Sequence, residues 1–181
     1  MQNWIAKIGL VLAALTIGMM PSVAAAQDSD QSDAQAFLVT PLSFVKQFDL
    51  DFGQIIPTNT AGTVVMDSTG TIVTTGGVIQ IDGTQQPARF AGFGQFNQTV
   101  LINVDANSYT LTRDGGTETM VMDAILIGSQ PPIIINTNPR RFRIANPAGF
   151  FFFNIAGRLQ VGANQEPGVY TGEFTITLEY E

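Results

Sequence analysis

The sequence predicts an all-β chain, an antiparallel sandwich or barrel. Short apolar or Thr-rich runs recur along it, Asp-Gly and Gly-Gly pairs punctuate those runs, and no amphipathic helical pattern lasts longer than a turn or two. The most regular run comes last. In it Phe174, Ile176, Leu178 and Tyr180 alternate with Glu173, Thr175, Thr177, Glu179 and Glu181. This is the pattern of a strand with one dry face and one wet face, predicted over residues 169–180. It reaches the final residue, so no later strand of the sequence covers its neighbour.

The first residues carry a different signal. Lys7 precedes an apolar run over residues 8–20 that is too short to span a membrane. Pro21 and Ser22 break the run, and Ala24, Ala25 and Ala26 offer small side chains to a peptidase. Residues 1–26 are therefore predicted to be a cleaved secretory signal peptide, and no later segment predicts a transmembrane helix. The mature chain is then exported, to the periplasm, the outer surface or the medium. Residues 27–35 (QDSDQSDAQ) are polar and acidic and predict a disordered leader. Residues 36–181 predict one domain, long enough to bury a core without disulfides.

The elements follow in order. Phe37, Leu38, Val39, Leu42, Phe44 and Val45 form an apolar stretch broken by Pro41, which predicts an edge position or a break between strands. Phe48, Leu50 and Phe52 alternate with Gln47, Asp49 and Asp51 and end at Gly53. Further strands are predicted at 63–66, 71–75, 78–81, 88–93, 99–104, 108–112, 118–127, 133–135, 150–155 and 158–161. The Gly76-Gly77 pair between two of these reads as a hairpin turn.

Composition narrows the function. The chain has no cysteine, no histidine and a formal net charge of -7. An acidic surface suits neither nucleic acid nor anionic lipid. Without histidine the common general base, the Ser-His triad and most zinc sites are gone. Asp105 to Asn107 and Arg113 to Gly116 lack the carboxylate density of a calcium cage and read as turns. Asp49 and Asp51 read as two solvated acids outside an apolar face rather than an acid-base pair. No cofactor and no catalytic group is predicted.

Two clusters stand out. Phe150 to Phe153 puts rings on both faces of its strand, which reads as a central strand buried on both sides, as a strand end under a loop, or as an exposed patch for another subunit. Arg140, Arg141 and Arg143, around Phe142, form the basic cluster. They read as a solvated loop face, or as a partner for the acidic leader of a neighbouring copy or an anionic glycan.

The ordered set Leu50-Asp51-Phe52-Gly53, Gly62-Thr63-Val64, Thr74 to Val78, Ala88-Arg89-Phe90, Leu159 to Gln165 and Gly168 to Phe174 resembles the bacterial domain of unknown function 4402 family. The resemblance covers nearly the whole mature chain. It implies an exported β-sandwich with no established enzymatic activity, similar to secreted pilus-like subunits and the spore coat protein U group. Arg158 departs from the pattern, which has small residues there.

The expectation is an immunoglobulin-like β-sandwich, a non-enzymatic structural or adhesive envelope protein, fimbria-like in the sense that copies join by strand addition. The donor is expected in residues 36–45, with Phe37, Val39, Leu42 and Phe44. The acceptor edge is expected beside Phe174, Ile176, Leu178 and Tyr180. The expected partners are other copies of itself or a periplasmic chaperone. Two alternatives come from other classes, a glycan-binding module and a small outer-membrane barrel.

Overall fold

A computed structural model describes residues 35–36, 38–81, 83–129, 136–137 and 140–181. The predicted signal peptide, most of the predicted leader, Phe37 and the strand expected at 133–135 lie outside the described residues. Of residues 1–37, the described Gln35 and Ala36 are exposed and irregular.

Leu38–Glu181 builds on twelve strands and, among the described residues, no helix. They are β1 (Ser43–Phe48), β2 (Gln54–Met66), β3 (Ile72–Ile81), β4 (Ala88–Phe93), β5 (Thr99–Val104), β6 (Tyr109–Arg113), β7 (Thr119–Gly128), β8 (Asn136–Thr137), β9 (Arg140–Arg143), β10 (Phe150–Val161), β11 (Tyr170–Thr171) and β12 (Ile176–Tyr180). The larger sheet runs β1-β4-β10-β7-β6-β11, with β2 and β3 joined through β10. The smaller sheet runs β12-β5-β9-β8. All pairings are antiparallel. The all-β expectation holds, and both sheets contribute to one core.

The centre of that core is aromatic. β10 alternates, so Phe151 and Phe153 are buried while Phe150 and Phe152 face outward. The central strand forms, but the burial expected on both faces is found on one only, because Phe150 and Phe152 have no layer packed over them. Phe153 stacks on Phe90 of β4 at 5.0 Å, and Phe142 of β9 meets Phe151 at 5.0 Å across the layers. Each fully buried ring of this kind contributes about 2–3 kcal/mol through the apolar area removed from water. Phe142 also explains the basic cluster. Arg140 to Arg143 is a strand rather than a loop, with its apolar residue turned in.

β10 binds two partners along one side. Its first half pairs with β4, and its second half pairs with β2. It runs unbroken through Ala156-Gly157, where the sequence predicts two strands. Arg158 fits there because its guanidinium forks onto Asp123 of β7, at 2.7 and 2.9 Å. That pairing holds the Asp123 carboxyl below its ordinary pKa.

Gly76-Gly77 is not a hairpin turn. β3 continues through it as one strand, with Gly76 at a φ of 67°, while residues 58–61 bulge out of β2 opposite. The bulge comes so close that a Cβ on Gly77 would stand 2.1 Å from Thr58 Oγ1. Small residues there admit the neighbouring backbone instead of reversing the chain. The single strand predicted over 169–180 is also divided. β11 joins β6 in the larger sheet and β12 joins β5 in the smaller one, with 172–175 crossing between them. A Cβ on Gly172 would lie 2.8 Å from Thr110 O, so the crossing hugs β6.

Candidate functional site

β12 lies at the edge of the smaller sheet. Its partner comes from its own chain: β5, in the register Ile176–Val104 to Tyr180–Val100. The ladder shows which groups that pairing uses. Asp105 N donates to Thr175 O, and Glu181 N donates to Thr99 O. In an antiparallel ladder the bonded pairs alternate, so the backbone groups of Ile176, Leu178 and Tyr180 point the other way. No strand meets them among the described residues.

The same reasoning applies to β1, at the edge of the larger sheet. Gly94 N donates to Gly149 O, which assigns the even-numbered residues of β4 to β10. Ser43 and Val45 therefore bond to β4, and Phe44 and Lys46 direct their backbone groups outward. Among the described residues two open edges thus flank one cleft of about 650 Å³. Phe44 and Lys46 line it from β1, Ile176 from β12, and Glu173 and Phe174 from the crossing segment, with Phe90 among its walls.

Side chains fix both borders. Ile176, Leu178, Tyr180 and Phe174 are half-buried against the core, as are Leu42 and Phe44. Phe174 packs on Tyr109, with ring centroids 5.8 Å apart. The Tyr180 hydroxyl accepts from Gln95 N and donates to Thr40 O, both at 2.7 Å. Thr40 returns two bonds to Gln95 Oε1, from its N at 3.2 Å and its Oγ1 at 2.8 Å. The residues ahead of β1 are thus clasped to one end of β12. Sequence reasoning missed this clasp, because nothing local links Thr40, Gln95 and Tyr180. Beyond it Leu38 and Val39 stand in solvent, 93% and 53% exposed.

The structure therefore gathers Phe44, Phe174 and Ile176 at one cleft and leaves Val39 outside it. Arg141 pairs with Glu181, beside the end of β12. Arg143 Nε donates to Asn97 O at 3.3 Å. Asp51 caps a turn by accepting from Gly53 N at 2.7 Å, and Asp49 pairs with Lys46.

At the base of the crossing segment, Tyr109 donates to Asp105 Oδ1 at 2.6 Å and Thr175 N donates to the same oxygen at 3.1 Å. These bonds, the one from Tyr109 first, hold the Asp105 carboxyl below its ordinary pKa. Burial, then the bond to Asp105, pushes the Tyr109 hydroxyl up. Asp105 thus serves as a brace for the start of β12. No group of three or more His, Cys, Asp or Glu able to hold a metal occurs among the described residues, and no helix there is long and apolar enough to cross a membrane.

The family model described as Domain of unknown function (DUF4402) matches residues 42–180. No curated protein and no solved structure matches the chain.

Proposed function

The chain belongs to the DUF4402 family, and on that premise we propose that it is an exported, non-enzymatic structural or adhesive protein of the bacterial envelope whose copies join by strand addition. One observation carries the proposal. Ile176, Leu178 and Tyr180 turn backbone groups toward a side that no described strand meets, and at Ile176 that edge borders a cleft whose opposite border, β1, is an edge of the larger sheet among the described residues. An extended segment laid along β12 gains main-chain hydrogen bonds from the edge and buries alternate side chains in the cleft. The donor is the segment ahead of β1, where Leu38 and Val39 are apolar and exposed while Leu42 and Phe44 already serve their own core.

Open edges speak against a membrane barrel, which closes its sheet so that no edge meets lipid. The tyrosines give little support to glycan stacking. Tyr109 is buried, and Tyr170 and Tyr180 are engaged by hydrogen bonds to Glu166 O and Thr40 O.

The absence of cysteine makes the test clean. One preparation carries Leu38→Cys and a second carries Thr177→Cys, and the two are mixed under mild oxidation. Mixed disulfide dimers are expected, together with filaments of the unaltered protein by negative-stain microscopy. If both thiols react with a small reagent but no mixed dimer forms, the proposal is wrong.

A further inference from the structure

We infer that β3 is a second assembly edge, at which two copies of this chain pair β3 to β3, antiparallel about a two-fold axis. This surface is distinct from the β1–β12 cleft and does not depend on it.

β3 pairs with β2 alone among the described residues, so its other side is open along ten residues. Asp67 N donates to Thr71 O at the turn that joins β2 to β3. Bonded pairs therefore fall at 65–73 and 63–75, and the backbone groups of Ile72, Thr74 and Gly76 point outward. Natural edges are guarded by charge, proline or shortness. β1 carries Lys46, β12 is short and carries Glu179, and β8 and β11 have two residues each. β3 (IVTTGGVIQI) has no charge and no proline. The irregularity at 58–61 bulges from β2, on the side away from the open edge. The outward face is apolar as well, with Val73, Ile79 and Ile81 60%, 55% and 45% exposed and Ile56 beside them at 45%.

A second copy is the occupant that fits this edge, because the edge is uncharged and can pair with itself in register. Two copies that each carry a net charge of -7 repel, so a contact between them is least opposed where charge is absent. Residues 52–81 contain one ionisable side chain, Asp67. Its carboxylate is held within its own turn by Thr69 N, Thr69 Oγ1 and Thr71 N, at 2.8, 2.7 and 3.0 Å. The edge also complements itself. A two-fold axis at Gly76 sets Val73 against a second copy's Ile79, both on the outward face.

Sedimentation of the unaltered protein across a concentration series tests this, with hydrogen exchange read at the amides of Ile72, Thr74 and Gly76. The native chain is expected to dimerise as concentration rises into the millimolar range, and those amides slow in step. Ile79→Lys, on an exposed face, keeps the circular dichroism spectrum and raises the dimer dissociation constant at least tenfold, whereas Ile79→Val leaves it unchanged. A native chain that stays monomeric throughout overturns the inference. So does a dimer in which those amides stay fast, or one that Ile79→Lys leaves intact.

Discussion

Tyr180 and Gly76 show how single atoms decide local structure here. The Tyr180 hydroxyl satisfies Gln95 N and Thr40 O together, joining β12 to the chain ahead of β1. Tyr180→Phe removes both bonds and leaves an amide without its partner, so a loss of about 1–3 kcal/mol is expected in urea denaturation. Leu38 and Val39 are expected to gain mobility, read by backbone relaxation. At Gly76 two costs combine. Its φ is 67°, and a Cβ there would lie 2.3 Å from Ala61 O. Gly115 has nearly the same φ, 70°, but nothing within 4 Å of its Cβ position. Gly115→Ala should then cost only the left-handed backbone term of about 1–2 kcal/mol. Gly76→Ala adds a collision with main chain, for about 1–3 kcal/mol more. Equal losses in the two variants would mean that β2 gives way freely at its bulge.

At the scale of elements, the β6–β7 hairpin is pinned by a charge pair that acid can reach. Arg113 Nε donates to Glu118 Oε2 at 2.7 Å, and this bond is the largest cause that lowers the Glu118 pKa from 4.5 to about 2. A depressed carboxyl pKa adds stability that is fully present above the unfolded value and is lost as pH falls through the folded one. The contribution should fade between about pH 4.5 and pH 2. Carbon-detected titration is expected to show Glu118 still ionised at pH 3, and a midpoint near 4.5 would break the argument. The hairpin itself was legible in the sequence, because the turn residues Arg113-Asp114-Gly115-Gly116 stand between two strand-like runs. β4, β5 and β7 were legible as short apolar runs bounded by turn residues, which is a local signal. β2 was only half visible, as Pro57 and the polar residues 58–60 hide its first part. β10 and β3 were each split at glycines that admit a neighbouring backbone, and sequence cannot separate that use from a turn. Phe174, Ile176, Leu178 and Tyr180 were read correctly as one alternating face. Which sheet they join depends on a partner some 70 residues earlier, as in Thr175 N to Asp105 Oδ1, and no local pattern carries that information.

The whole molecule sets a charged chain against apolar edges. Two forces could bring copies together, and they respond to salt in opposite ways. If Arg140, Arg141 and Arg143 met the acidic residues 27–35 of another copy, attraction between opposite charges would drive the contact and added salt would weaken it. Arg141 and Arg143 are already engaged, with Glu181 and Asn97 O. If uncharged β3 edges or the β12 cleft drive it, the net charge of -7 only opposes approach. Screening then helps, because the Debye length shrinks from about 30 Å at 0.01 M to about 3 Å at 1 M. The association constant measured by sedimentation is therefore expected to rise severalfold between low and high sodium chloride. A fall over the same range would shift the contact from the sheet edges to the arginine cluster. Pairing Ile79→Lys with a second variant in which Arg140 and Arg143 are replaced by Gln separates the two cases at one salt concentration. Where β3 edges form the salt-strengthened species, the first should weaken it at least tenfold; where the β12 cleft forms it, neither variant should.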